Sequence, residues 1–318
     1  MIKSTEESVE AVPATSQQGE PQGRRSAGGV TLVVPAFDEE GGIDGVVERL
    51  AGLDLGVPLE LLVVNDGSRD KTAEKLAALA ERFPVLRVIE HPMNRGYGAA
   101  LKTGFAAAAH DVVVITDADG TYPEDRIVDL LARIDDGAEM AVGARTGANV
   151  HIPLIRRPAK NALRLLASYL AGRRIPDLNS GLRAFRRELV LQYRPVLPEG
   201  FSFTTTITLA SLTNSHRVDY VSIDYAPRSG RSKIKPIRDT LGFTALIIRT
   251  VTYFNPLKVF YPAAFFLLML FSISLVFDLF FVEGHPDMGD KTVLLFVAFV
   301  QVMSLGLIAD LIDKKSRL

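Results

Sequence analysis

The chain has 318 residues, a formal net charge of −1, and neither cysteine nor tryptophan. That length holds one large or two small domains. Near-neutral charge gives no support to a nucleic-acid binder, and without Cys neither a disulfide framework nor a thiolate metal site can form. Hydrophobic residues make up 47% of the chain, and the excess is concentrated toward the C-terminus.

Residues 1–28 are rich in Glu, Gln, Ser, Gly and Pro and read as a disordered tail. They contain no apolar stretch of the kind a signal peptide needs. From there to about residue 144, strands and helices alternate. Strands are predicted at 30–34, 59–64, 86–90, 112–115 and 140–142, from runs of Val, Ile and Leu. Helices are predicted at 43–53, at 70–83 with Asp70 as N-cap, at 97–109, and at 123–134 with Pro123 at its start. Such alternation implies an α/β class with a doubly wound, mostly parallel sheet. Between 144 and 225 the pattern loosens to a helix at 156–171 and short strands at 182–185 and 218–225. This section is expected to build the acceptor side of a cleft.

The character then changes. The α/β unit at 29–227 gives way to a basic juxtamembrane segment at 228–255, in which 236–254 has the spacing of an amphipathic interfacial helix with Arg238 and Arg249. Residues 256–312 read as a transmembrane hairpin with spans at 258–282 and 292–311, since a span takes about 20 apolar residues. Residues 313–318 form a basic tail. Arg231, Lys233, Lys235 and Lys258 flank the hairpin on one side, as do Lys314, Lys315 and Arg317 at its end, whereas the loop at 283–291 is more acidic than basic. The positive-inside rule then puts the α/β unit and C-terminus in the cytoplasm, as a multi-pass protein of the cell membrane. Oligomeric state stays open, although paired hairpins often associate into homo-oligomers.

Asp117-Ala118-Asp119 carries the strongest chemical signal. It follows the run at 112–115, and in open α/β sheets ligands bind outside the carboxyl ends of strands. Carboxylates one residue apart can share a hard cation such as Mg²⁺ or Mn²⁺, which would hold a diphosphate. A plain Asp-rich turn before the next helix is the bland alternative, but three more strand ends carry polar motifs. These are Pro35-Ala36-Phe37-Asp38-Glu39-Glu40, Asn65-Asp66-Gly67-Ser68-Arg69-Asp70-Lys71-Thr72 and Asn94-Arg95-Gly96-Tyr97-Gly98-Ala99-Ala100. The Gly96-Tyr97-Gly98 element also has the look of a dinucleotide loop, but the third glycine is replaced by Leu101 and no acidic partner follows at the right distance. Close helix–sheet packing is the preferred account of these glycines.

Taken together, the four motifs resemble family 2 glycosyltransferases of the GT-A fold. Gly143-Ala144-Arg145, the stretch from Asn179 to Phe185, Arg228-Ser229-Gly230-Arg231-Ser232-Lys233 and the C-terminal hairpin extend the resemblance to polyprenol-phosphate sugar synthases. Some relatives of that kind carry Gln as a further metal ligand where this chain has Thr121. The resemblance implies that Pro35, Glu39 and Asp66 line the nucleotide pocket, Asp66 accepting N–H bonds from the base. Asp117 would lie against ribose or diphosphate and share the metal, and Asp119 would bind the metal. Arg228, Ser232 and Lys233 would meet phosphate oxygens. Arg145 and Arg183 are the candidates for holding the acceptor phosphate, with packing of the Asn-Ser-Gly turn as the rival role for Arg183.

The implied reaction is inverting transfer of a hexose, glucose or mannose, from a UDP- or GDP-sugar to polyprenyl phosphate. A lipid phosphate is already largely dianionic at neutral pH and needs cationic positioning rather than a base. The alternative is a hydroxyl acceptor on a glycan or glycolipid, which requires a general base, with Glu199 as candidate. Absence of Trp argues against processive synthases, which carry a Gln-x-x-Arg-Trp element. Retention of Asp66, Asp117 and Asp119 argues against a non-enzymatic scaffold.

Overall fold

The computed structural model describes residues 25–150, 157–200, 202–226, 236–281 and 288–316. The expected phosphate contacts Arg228, Ser232 and Lys233 fall outside them, as does the tail at 1–24. The described chain starts earlier than the sequence pattern implies. A 3-10 turn spans Arg25–Gly28, and Ser26 is buried there, donating its N–H and its hydroxyl to the Asp135 carboxylate at 2.9 Å each.

Seven strands form one sheet: β1 (Val30–Ala36), β2 (Leu59–Asn65), β3 (Leu86–Glu90), β4 (Val112–Ile115), β5 (Met140–Val150), β6 (Arg183–Arg186) and β7 (Val218–Tyr225), in the order β3-β2-β1-β4-β6-β5-β7. All neighbouring pairs are parallel except those made by β6, which runs antiparallel to both β4 and β5. The sheet is therefore mixed and mostly parallel.

Helices cover both faces. On one lie α1 (Ile43–Ala51), α2 (Thr72–Arg82) and α4 (Ile127–Asp135), packed on Leu32, Val34, Val112 and Val114. On the other lie α3 (Tyr97–Ala107), α5 (Arg157–Ala171), α6 (Arg187–Tyr193), α7 (Phe203–Thr213) and α8 (Pro236–Phe254), packed on Val33, Val113, Ile115 and Phe185. Successive residues of β1 and β4 thus serve opposite faces, as the strand period of two requires. Phe105 from α3 meets Phe185 edge-on at 5.4 Å and stacks over Phe203 of α7 at 6.3 Å, tying the second layer to the sheet.

Several boundaries depart from the sequence pattern for identifiable reasons. Pro123 precedes a 3-10 turn at Glu124–Arg126, so α4 begins only at Ile127. Asp70 lies one residue before the N-cap of α2 and accepts the Thr72 N–H at 3.0 Å. β5 continues well past Val142 because β7 runs beside it to Ala144 and Arg145, with an irregularity before Val150. The helix α7 is rich in Thr, which disfavours helix locally. Its burial among the core residues Phe203, Ile207 and Leu209 overrides that preference.

After α8 come α9 (Leu257–Phe281) and α10 (Asp290–Ser316). Their apolar stretches, Leu257–Phe280 and Asp290–Lys315, are 24 and 26 residues long. At about 1.5 Å per residue each exceeds the roughly 30 Å hydrocarbon core of a bilayer. Near the catalytic end Gly306 admits Phe260, since a Cβ there would lie 2.6 Å from that side chain. At the far end Asp278 accepts the Gly289 N–H at 2.9 Å and the Thr292 hydroxyl at 2.6 Å. Its charge is therefore satisfied by the start of α10.

Close helix–sheet packing was the expected role of the glycines that open α3, and the structure gives them a different one. Gly104 serves that packing, its missing side chain admitting Val33. Gly96 and Gly98 instead admit the backbone of residues 198–200, and Ala99 donates its N–H to the Glu199 carbonyl at 3.0 Å. A Cβ at Gly98 would stand 2.3 Å from the Pro198 carbonyl oxygen, whereas one at Gly200 meets nothing within 4 Å. Gly98→Ala is expected to cost about 1–3 kcal/mol, and Gly200→Ala almost nothing. Thermal unfolding of the two variants in detergent checks this; equal melting temperatures would contradict the close approach.

Candidate active site

The parallel register places the C-terminal ends of β1, β2 and β4 at one edge of the sheet. Ala36 aligns with Asn65, the Asp66 N–H donates to the Ala36 carbonyl at 2.8 Å, and Ile115 lies across from Val33. Because β6 runs backward, its entry meets the same edge, with Arg183 opposite Ile115. Asn179, Ser180 and Gly181 are thereby brought beside Asp117. A Cβ at Gly181 would lie 2.8 Å from both Asp117 carboxylate oxygens. The exit of β5 delivers Arg145 to this edge as well.

The loops after β1 and β2 brace each other. Asp38 takes the left-handed conformation at φ 54°, donates its N–H to Ser68 Oγ at 3.0 Å and accepts the Arg69 N–H at 2.8 Å. Glu40 accepts the Lys71 N–H at 3.0 Å, while its own N–H goes to Asp70 at 3.1 Å. The Glu39 N–H reaches Thr72 Oγ1 at 2.9 Å, and Pro35 pairs with Val64 just before this turn. Much of the acidity in these two motifs therefore holds loops together.

Asp66 is 2% exposed. Its carboxylate accepts the Arg95 N–H at 3.0 and 3.1 Å, the Gly96 N–H at 2.7 Å, and a bond from His91 Nδ1 at 2.6 Å. It thus shapes the loop that opens α3, where Gly96 has φ 105°.

Asp117 accepts a bond from the Tyr97 hydroxyl at 3.1 Å. Burial, together with the Asp117 charge, pushes the Tyr97 phenol well above its ordinary value, so it stays a proton donor. Tyr122 is likewise pushed up by burial and Asp117, and its oxygen accepts the Gly181 N–H at 2.6 Å. Asp119 accepts both the N–H and the hydroxyl of Thr121, at 3.2 and 2.6 Å. Thr121 therefore orients Asp119.

Arg145 and Asp177 form a two-point pair, Nε to Oδ2 at 2.7 Å and a terminal nitrogen to Oδ1 at 3.0 Å. The Arg145 N–H also donates to Asp177, at 3.1 Å. Burial alone would lower the guanidinium, but the Asp177 carboxylate outweighs it and holds Arg145 above its usual range. Its charge sits 5.2 Å over the Tyr225 ring, which meets Tyr122 edge-on at 5.1 Å. Asp177 escaped the sequence reading because it sits in an irregular stretch with no strand before it. The pattern Asp177-x-Asn179-Ser180-Gly181 ahead of a strand was the signal available.

Arg183 corrects an expectation. It is fully buried at 0% exposure. Its nitrogens donate to the carbonyls of Ser180 (2.7 Å), Leu178 (2.8 Å) and Thr204 (3.2 Å) and to Thr208 Oγ1 (2.6 Å). A guanidinium committed in this way beneath the Asn-Ser-Gly turn is structural and does not meet an acceptor phosphate. Burial lowers its basicity. The candidate base Glu199 stands on the rim with its side chain 60% exposed, 4.0 Å from Arg95.

Asp117 and Asp119 fit a divalent cation by their chemistry, since both offer hard oxygen donors at one strand end. Among the described residues no group of three His, Cys, Asp or Glu side chains gathers to cage a metal. That suits Mg²⁺, which is typically bound by one or two carboxylates with substrate phosphates and water completing the sphere. Such an ion, when bound, supplies Lewis-acid stabilisation of negative charge on a departing diphosphate.

Strand-end carboxylates on a mostly parallel sheet, with a membrane-length hairpin behind them, define a class. Residues 31–194 match the model of glycosyl transferase family 2, and the chain belongs to that family. Residues 255–314 match the GtrB C-terminal hairpin. The chain is 30% identical over 312 residues to an undecaprenyl-phosphate 4-deoxy-4-formamido-L-arabinose transferase of Pseudomonas fluorescens, covering 90% of this chain and 85% of that one. It is 31% identical over 208 residues to a dolichyl-phosphate hexose transferase of Haloferax volcanii, covering 65% and 87%. Among solved structures, glucosyl-3-phosphoglycerate synthase of Mycobacterium tuberculosis, crystallised with Mn²⁺ and UDP, superposes with a TM-score of 0.55 at 22% identity, covering 76% of this chain and 85% of that one. This likeness establishes the GT-A type of fold.

Asp119→Asn removes a charge at the strand end while keeping an acceptor for Thr121. The variant is expected to lose sugar transfer by at least about 100-fold with an unchanged melting temperature. Wild-type turnover at saturating Mg²⁺ or Mn²⁺ would refute the site.

Proposed function

We propose that the chain is an inverting glycosyltransferase of the membrane, moving a sugar, glucose or mannose in the leading reading, from a nucleoside-diphosphate donor to polyprenyl phosphate. The observation that carries it is the union of Asp117 and Asp119 at a strand end with two membrane-length helices in one chain. A long polyprenol cannot leave the bilayer, so its transferase must meet it there. The named relatives act on undecaprenyl phosphate and dolichyl phosphate, which supports this acceptor class.

In this reading Pro35, Glu39, Asp66 and Asp117 contact the nucleotide, joined by Arg228, Ser232 and Lys233, and Asp119 with Asp117 holds Mg²⁺ or Mn²⁺. Tyr97 and Thr121 keep the two carboxylates in fixed rotamers. Arg145, pre-aligned by Asp177, positions the acceptor phosphate. The phosphate oxygen attacks the anomeric carbon as the bond to the diphosphate breaks, inverting that centre. The acceptor is already dianionic, so no carboxylate takes a proton. The test uses membranes containing the protein, radiolabelled UDP- and GDP-hexoses and a short polyprenyl phosphate. A lipid product cleaved by mild acid is expected; an acid-stable glycoside points to the hydroxyl-acceptor alternative.

Two variants separate those acceptors. Arg145→Lys keeps the cation but loses the planar fork that Asp177 grips. It is expected to raise the acceptor KM or lower kcat by roughly 10- to 100-fold, the worth of a charge-assisted contact. Glu199→Gln should retain most activity, because the fold uses the Glu199 carbonyl rather than its carboxylate. A dead Glu199→Gln beside a healthy Arg145→Lys reverses the assignment.

The basic flanks support a cytoplasmic catalytic domain. Met288, 43% exposed, follows the loop between the spans, and Ala78 lies exposed on α2. In intact cells Met288→Cys is expected to react with an impermeant thiol reagent and Ala78→Cys only after lysis. The opposite pattern overturns the orientation.

A further inference from the structure

His91 entered the site above only as one of the partners of Asp66. It directly follows β3, is 7% exposed, and donates its N–H to the Asn65 carbonyl at 2.9 Å. Both ring nitrogens are engaged. Nδ1 lies 2.6 Å from Asp66 Oδ1, and Nε2 lies 2.9 Å from Thr103 Oγ1 on α3.

The hydrogen positions follow from the partners. An ionised carboxylate can only accept, so Nδ1 carries the hydrogen toward Asp66. A neutral imidazole then has a lone pair at Nε2, which the Thr103 hydroxyl can fill by donating. Asp66, which can only accept, thus places the hydrogen on Nδ1, and Thr103 holds the other edge of the ring.

The effect falls on Asp66. An ionised carboxylate offers about four acceptor sites. The N–H groups of Arg95 and Gly96 and His91 Nδ1 supply three donors. The Arg95 N–H spans both oxygens, at 3.0 and 3.1 Å, so these donors together fix the rotamer of the carboxylate, and His91 supplies the one side-chain donor among them. The same carboxylate anchors the Asn94–Gly96 loop, whose backbone closes on Gly67 so tightly that a Cβ there would stand 2.5 Å from Met93.

We infer that His91 is a positioning residue for nucleotide recognition: its Nδ1–H, with the ring held at Nε2 by Thr103, aligns Asp66 and the loop after β3 for the donor's base. The inference rests on the reading of Asp66 as part of the nucleotide pocket.

The two amides that mimic an imidazole separate this role from simple packing. Asn places an N–H near the Nδ1 position, and Gln places one near Nε2. Binding of UDP and of GDP with Mn²⁺ is measured by calorimetry on the full chain in nanodiscs, and melting temperatures are recorded alongside. His91→Gln is expected to weaken the preferred nucleotide by roughly 10- to 100-fold, the loss of one contact to a charged group. His91→Asn is expected to recover most of that loss, and Thr103→Val to weaken binding with the ring still present. In the assay the change should appear in donor KM and leave acceptor KM alone. Equal binding by the Gln and Asn variants overturns the inference. If Asp66→Asn binds both nucleotides like wild type, the pocket reading falls and the inference falls with it. If Asp66→Asn is weak and His91→Gln normal, only the role of His91 falls. A further measurement needs no variant that folds. ¹⁵N-histidine spectra of the wild-type chain, with His91 assigned, should show a hydrogen on Nδ1. A ring protonated at Nε2 alone is incompatible with the proposed donation.

Discussion

Six strands of the sheet run one way and β6 runs the other, and the site depends on that reversal. Parallel strands send their exits to one edge, and those exits supply Asp66, Asp117 and Asp119. Only a strand entering at that edge can deliver the residues that precede it. The antiparallel β6 does so, bringing Gly181 so close to Asp117 that no side chain fits between them. Residues from before β6 and from after β4 meet across this contact.

Such an arrangement needs support from beneath, because a turn pressed against a carboxylate has carbonyl groups that water cannot reach. Arg183 provides it. Its guanidinium collects the carbonyls of Leu178, Ser180 and Thr204 and the hydroxyl of Thr208. An unpaired buried carbonyl costs about 1–3 kcal/mol, so one cation satisfying three of them explains a charge sealed in the core. Arg145 is handled differently. Asp177 neutralises it and the Tyr225 face lies under it, yet it is brought to the site edge by β5. Two arginines that look alike in sequence are thus separated by their partners, carbonyls for one and a carboxylate for the other.

That difference marks the limit of what the residues alone could tell. The alternating strands and helices up to Val142, the four polar strand ends and the hairpin were all legible, because each is written in local periodicity or in a short motif. The roles of individual polar residues were less so. Asp38, Glu40 and Asp70 are spent on bracing two loops, and Gly96 and Gly98 on a chain segment about a hundred positions away. None of these contacts is local. The helix α7 was missed for the complementary reason: its Thr-rich composition opposes helix, and only burial on the sheet forces it. The 3-10 turn at Arg25–Gly28 was missed because Ser26 finds its partner, Asp135, at the end of a distant helix.

The hairpin is pinned at both of its ends, by Phe260 against Gly306 near the catalytic domain and by Asp278 on Gly289 and Thr292 at the far side. Helices held at two points cannot scissor apart or slide past each other. When the surrounding bilayer is thinner than the spans, such a pair accommodates by tilting as a single lever. The domain that α8 joins to it packs Ile247 and Val251 into its own core and so must follow that tilt. A change of bilayer thickness then acts on hairpin and domain as linked parts, moving them together and not one helix against the other.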